Sequence, residues 1–484
     1  MDFLYRYRSI NALFDHKELE NLSIYFAKPE ELNDQMEKHM NVVWQGDKIA
    51  FQGLFKHYLY TLTHLYVKAR ITEPQKHLDV DAIPVFLDIK ILDAPEMKDL
   101  FKFIYYEFFN SIYINKFPEQ MALSNKKFTS DEILWVFKSI NLYAYLVINT
   151  VMQYKVFNKD ILQDKSYAEV YSAVKNWDGY YNVLKILTDP DNSPEDIYKN
   201  MVNFCAQQQI NSLYLSNVLH GDKDSYNINV LSFDFPDLYM KHIKKILYED
   251  FGVICFSKTF RNEPMWSHYA DKENGVCLKY KVKNNNGQNY LNLYSVSNTI
   301  IDSEREHTEK SFHDVPIFKV DYSINYPEID FFTSLGVLPM PIIEGFWLCN
   351  YDKTEFSSCL KNYKPIEQWA INYHMNAAKY ICTKNINWNY EQEYRIFQRD
   401  VLYRILENKE NRIATYSIKD LDAIIFGRNV KFEDKRKIIN IVFEHCKKQS
   451  HEVKFYDLYF STITGQLEYR HCIESIVLNP AKGM

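Results

Sequence analysis

The chain has 484 residues, 46% of them hydrophobic and 25% charged, with a formal net charge of -6. That balance is the one expected of a folded protein with room for more than one domain, and it excludes a disordered or collagen-like chain. Mild overall acidity argues against a surface built throughout to hold nucleic acid, while a local basic pocket would not show in such a sum.

Phe3 to Arg8 alternates aromatic and basic residues, which suits a short strand. A short amphipathic helix follows from Ile10, then a strand from Ser23 to Ala27 and a turn opened by Pro29. From about residue 45 to 248 glycine becomes scarce, and runs such as FQGLFKHYLYTLTHLYVKA and DEILWVFKSINLYAYLVINTVMQY carry helical periodicity. Ser193 and Pro194 open one of these helices as N-cap and first helical residue. Aromatic residues are dense in this block, and at helical spacing they belong mostly to a core.

Short β-rich runs return after Asp250: GVICFS, GVCLKYKV, FKVDYS, EYRIFQRD, LDAIIFG and EVKFYDLYF. Helices are expected near 364–384 and 431–450. The expected fold is therefore α+β: a split β-sheet domain made of residues 1–44 and 249–484, with 45–248 inserted as a large all-helical domain. The eight cysteines include no C-x-x-C pair and no zinc-like cluster, so neither a disulfide framework nor a metal centre is expected. The most apolar stretch is broken by Lys138, Asn141 and Asn149, and MDFLYRYRSI does not have the pattern of a leader. A cytoplasmic protein without a membrane partner is expected.

Three places carry candidate chemistry. In Tyr5-Arg6-Tyr7-Arg8 alternation puts both guanidinium groups on one strand face, where each offers a fork that matches a phosphate. Residues 252–280 read as strand, turn, strand, and the turn residues Asn262, Pro264, Asn274 and Gly275 leave Trp266, His268 and Tyr269 unexplained. Ser257 and Thr259 lead into that knot with two hydroxyls, and His268 has the residue type of an acid or base near neutrality. In the third place, WNYEQEYRIF, period two puts Glu391, Glu393 and Arg395 on one face. Adjacent carboxylates repel, so the arrangement calls for a cation or a ligand hydroxyl between them.

LYRYRS, FAKPEELND, VICFSK, MWSHYADKENGVCLKY, WNYEQEYRIF and DLDAIIFGRNV resemble the bacterial family known as domain of unknown function 2971, over about residues 3–40 and 250–460. Gln35 stands where that family usually has Pro, and the helical insertion is unusual for it. A second resemblance, to ADP-ribosyltransferases, lies in the order Arg-bearing strand, Phe256-Ser257-Lys258-Thr259, then a Glu-x-Glu strand. It implies that NAD is the substrate, that Arg6 or Arg8 holds its phosphates, and that Ser257 supports the nicotinamide ribose. It also implies that Glu393, with Glu391 beside it, acts on the sugar.

Trp266 and Tyr269 are then candidates to hold the nicotinamide ring, and His268 a candidate catalytic group. The expected activity is an ADP-ribosyltransferase or NAD glycohydrolase acting as a bacterial toxin or anti-phage effector. The helical block would sense a phage or host protein or a nucleic acid. Two other classes stay open. Asp34, Glu37, Glu391 and Glu393 could bind Mg²⁺ in a nuclease or phosphoesterase. Alternatively, the helical block binds a partner without catalysis.

Overall fold

Phe3–Arg8 forms a strand in the middle of a twelve-stranded sheet, between Phe251–Ser257 and Val276–Lys281 and antiparallel to both. The computed structural model describes residues 1–71, 77–86, 94–220, 225–301, 306–400 and 406–472. It divides into two compact units: a β-rich one made of Met1–His39, Glu249–Pro327 and Ala378–Met484, and a helical one made of Met40–Tyr248 and Glu328–Ala377. The class is α+β.

In the β-rich unit the sheet continues on one side through Leu421–Phe426, Lys454–Ser461 and Gln466–His471. Beyond Phe251–Ser257 on the other side come Glu393–Arg399, Glu306–Lys319, Gln288–Ile301, Ile413–Tyr416 and Ser23–Tyr25. Leu421–Phe426 and Lys454–Ser461 are parallel, joined by the helix Phe432–Gln449, as a parallel pair requires. One sheet face buries Leu4, Ile254, Phe256, Leu278 and Ile396 together with Ile438 and Val442 of that helix. The other buries Tyr7, Trp266, Cys277, Ile425 and Leu458.

The sequence reading did not pick out the long hairpin of Gln288–Ile301 and Glu306–Lys319. Its inward positions, Leu291, Leu293 and Ser295, are interleaved with Asn and Tyr, which blurs the alternation.

The helical unit differs in two respects from an all-helical block ending at 248. It takes in residues 328–377, and it contains a small sheet of Glu328–Asp330, Asn41–Trp44 and Phe128–Thr129. The helix Ser130–Lys155 starts at a capping box of Thr129 and Glu132 and is buried on nearly every side. This helix is long and apolar enough to cross a membrane, but 83% of its apolar window is buried against neighbours. Many of the aromatics are core, and the Tyr58 and Phe137 rings stack at 4.1 Å, while others such as Tyr181 and Tyr198 are exposed.

Candidate functional site

Arg6 and Arg8 share a strand face, as alternation requires, and both donate to the buried carboxylate of Glu18, Arg6 Nη1 at 3.0 Å and Arg8 Nε at 3.0 Å. Burial works against the Glu18 charge, but the two guanidinium groups hold its carboxyl below the ordinary range. Register then separates these arginines from the other candidates. Tyr5 pairs with Ser257, and Ser257 pairs with Glu393, so Tyr5, Ser257 and Glu393 point to one face while Arg6 and Arg8 point to the other. The structure therefore does not bring either arginine to the Glu391/Glu393 face.

The knot after Ser257 is a helix, Glu263–Tyr269, rather than part of a hairpin turn. Asn262 caps it by accepting from the Met265 N–H, and Pro264 sits in its first turn, so two residues read as turn formers serve as a helix start. The left-handed angles fall instead on Asp271, Lys272 and Glu273. Gly275 is needed for close approach, since a Cβ there would lie 2.3 Å from the Arg8 carbonyl oxygen.

The helix turns Met265 and Trp266 inward. Trp266 is 0% exposed, crosses Tyr7 edge-on at 5.2 Å, and donates its Nε1–H to the Phe260 carbonyl at 2.7 Å. Its ring is therefore core and presents no face to a ligand. His268 points outward and is exposed, 6.4 Å from the Tyr390 ring. Tyr269 is half-buried and donates its hydroxyl to Glu391 Oε1 at 2.7 Å.

Glu391 and Glu393 are not neighbours on a strand. Glu391 ends a 3-10 turn, Ile386–Glu391, capped by Asn385; Gln392 is left-handed (φ 45°, ψ 51°), and the strand begins only at Glu393. The kink nevertheless lets both carboxylates reach one ammonium. Lys384 Nζ lies 2.7 Å from Glu391 Oε2, 3.4 Å from Glu393 Oε2 and 3.3 Å from Glu37 Oε1. Arg395, 1% exposed, clamps Glu393 through Nε at 2.8 Å and Glu37 through Nη1 at 2.8 Å. Three carboxylates thus meet two side-chain cations, leaving one negative charge in excess.

The backbone around them is pinned as well. Ser257 Oγ donates to the Glu391 carbonyl at 2.8 Å, and the Glu393 N–H donates to the Tyr322 hydroxyl at 2.8 Å. Ser257, 1% exposed, therefore positions the turn that carries Glu391.

The two carboxylates are pushed in opposite directions. Burial raises the Glu391 carboxyl above its ordinary value, outweighing the pull of Lys384 and Tyr269. Burial also works against the Glu393 charge, but Arg395 and Lys384 together bring its pKa down to about 2. Burial lowers the affinity of Lys384 for its proton, yet Glu393, Glu391 and Glu37 more than reverse this and keep it charged.

Sequence reasoning missed Lys384 and Tyr322. The parallel pairing of Thr383–Asn385 with Asp321–Ser323 delivers both, and such a contact leaves no local signature. Glu37 was weighed as a metal ligand and is instead paired to Arg395 and Lys384.

No curated protein and no solved structure matches the chain. A family model matches residues 265–396, a narrower stretch than the resemblance read from the motifs. It holds Trp266, His268, Tyr269, Lys384, Glu391, Glu393 and Arg395, and it leaves out Arg6, Arg8, Glu37 and Ser257. The family whose model matches residues 265–396 is described as Protein of unknown function (DUF2971).

Proposed function

We propose that the β-rich unit is an ADP-ribosyltransferase-like domain that cleaves the nicotinamide–ribose bond of NAD. One observation carries the reading: two carboxylates two residues apart share Lys384 yet are shifted in opposite directions, Glu391 upward and Glu393 downward. Such a split assigns acid–base work to one group and a fixed charge to the other.

In the reaction the C1′–N bond breaks and its electron pair neutralises the nicotinamide ring. A new C1′–O bond forms from water or a macromolecular hydroxyl, whose proton passes to Glu391. Positive charge develops on the sugar, so the excess negative charge around Glu391 stabilises the transition state more than the ground state. Glu393, held by Arg395 and Lys384, acts as a positioning residue through Lys384. Tyr269 orients Glu391, and the half-buried Trp388 and Tyr390 rings supply flat surfaces on the same turn. The phosphate contact that the resemblance gives to Arg6 or Arg8 is not part of this reading, because Glu18 occupies both.

In a cell this chemistry suits a toxin or anti-phage effector that depletes NAD or modifies a target, with the helical unit as its sensor of a phage or host protein or nucleic acid. The test is nicotinamide release from NAD, read by mass spectrometry. Glu391→Gln is expected to lower the rate about a hundredfold while the protein stays folded, in line with loss of one preorganised electrostatic contact. Wild type that releases no nicotinamide overturns the proposal.

The runner-up, a magnesium-dependent nuclease or phosphoesterase, draws on Asp34, which is 6% exposed and whose Oδ2 has no hydrogen-bond partner among the described residues. Against it, Lys384 and Arg395 already neutralise Glu37 and Glu393. A parallel incubation of nucleic acid with magnesium decides between the two.

A further inference from the structure

A cleft of about 420 Å³ lies in the β-rich unit on the other side of the turn that carries Glu391. A 3-10 helix repeats every three residues, so Ile386–Glu391 has distinct faces. Trp388 and Glu391 lie on the face that meets Lys384, while Ile386, Asn389 and then Gln392 line the cleft. Two exposed lysines, Lys258 and Lys319, lie in its wall.

The sheet explains how the lysines come together. Lys258 follows the Phe251–Ser257 strand and donates its N–H to the Gln392 carbonyl at 3.0 Å. Lys319 ends the Glu306–Lys319 strand and pairs in register with Tyr394. They therefore flank the start of the Glu393–Arg399 strand from either side. Tyr394 pairs directly with Lys319, so these two share one sheet face, opposite the carboxylate of Glu393, and Lys258 follows at once from the strand on its other side.

Two strand spacings separate the lysine backbones by roughly 10 Å, a gap their side chains can bridge to one diphosphate. Neither ammonium has a carboxylate partner among the described residues, in contrast to Lys279, Lys283 and Lys384 of the same sheet region. The lining contains a single acid, the exposed Asp321, so the lysines outnumber it. Tyr322 and Tyr394 line the same space, beside Asn389 and Gln392.

Paired free cations next to aromatic rings and amides suit a phosphorylated aromatic ligand. We infer that this cleft binds a nucleoside diphosphate, with Lys258 and Lys319 on the phosphates and Tyr394 against the base. The site is separate from the Glu391 carboxylate and does not depend on the reaction proposed for it.

The probe is ADP, titrated into the full chain by calorimetry. Wild type is expected to bind, Lys258→Met/Lys319→Met to bind at least about tenfold more weakly, as loss of charged hydrogen bonds predicts, and Lys283→Met, at an exposed lysine outside the cleft, to bind like wild type. Both lysines are exposed, so the double variant should fold, and its thermal unfolding is checked in parallel. Unchanged affinity in the double variant, or no binding of ADP to wild type, overturns the inference.

Discussion

Two buried ion clusters sit on opposite faces of one sheet, and they solve the same problem differently. On one face two cations share one carboxylate: Arg6, Arg8 and Glu18, with the Arg8 side chain 25% exposed. On the other, two cations share three carboxylates, and all five side chains are 6% exposed or less. The first group is local, its members lying within residues 6–18, and serves to tie a turn to a strand. The second gathers residues 37, 384, 391, 393 and 395, and carries more negative charge than its cations neutralise. Each cluster is off balance by one charge, positive around Glu18 and negative around Lys384, and only a negative surplus can stabilise positive charge developing on a sugar, which is why the second cluster is the one read as chemical.

The sharpest break is Arg395→Met. It leaves Glu37 and Glu393 buried with only Lys384 between them, and should cost about 3–5 kcal/mol in urea unfolding. A loss below about 1 kcal/mol would mean that the cluster is far wetter than its burial indicates.

Acid should separate the two carboxylates of that cluster. Glu393 has its folded pKa depressed to about 2, so its contribution, about 3 kcal/mol, is present above the ordinary carboxylate range and lost as pH falls toward 2. Glu391 has the opposite sign. Its folded pKa is raised, so the folded form binds the proton more tightly, and stability rises as pH falls from the raised value toward the ordinary one. Unfolding free energy measured against pH should therefore climb slightly before it collapses, and Glu391→Gln should remove the climb and leave the collapse.

On the other face, Glu18→Gln should cost about 2 kcal/mol, less than Arg395→Met because Arg8 can reach water. Per folded molecule, nicotinamide release should be unchanged; a drop of tenfold or more would join the two faces into one site. The smallest effect is expected at His268, which is exposed. His268→Ala should shift stability by less than about 0.5 kcal/mol, and unchanged turnover would remove it from the catalytic candidates.

Much of this arrangement was legible beforehand, and the rest failed for identifiable reasons. Glu391, Glu393 and Arg395 drew attention because like charges so close together are costly, and the structure supplies the cations that offset the cost. Lys384 stayed hidden because nothing local distinguishes it; a parallel strand pair brings it in. Trp266 was read as a ligand platform because a turn would not require it and its ring is flat, but a seven-residue helix rotates it into the core while His268 goes to solvent. That helix is too short for periodicity to reveal, and its start signals, Asn262 and Pro264, double as turn residues. The alternation of Arg6 and Arg8 was legible, but which face they took was not, since register depends on strands some 250 residues away.

The central place of Phe3–Arg8 in the sheet also dictates when the molecule can assemble. Both of its neighbours, Phe251–Ser257 and Val276–Lys281, leave the ribosome only after the whole of residues 9–250. At about 5–20 residues per second the first strand waits tens of seconds with its edges unpaired. Lys384, Glu391, Glu393 and Arg395 emerge about a hundred residues later still. A nascent chain therefore carries no assembled charge cluster until Arg395 has emerged, so whatever that cluster does cannot begin while the earlier strands wait.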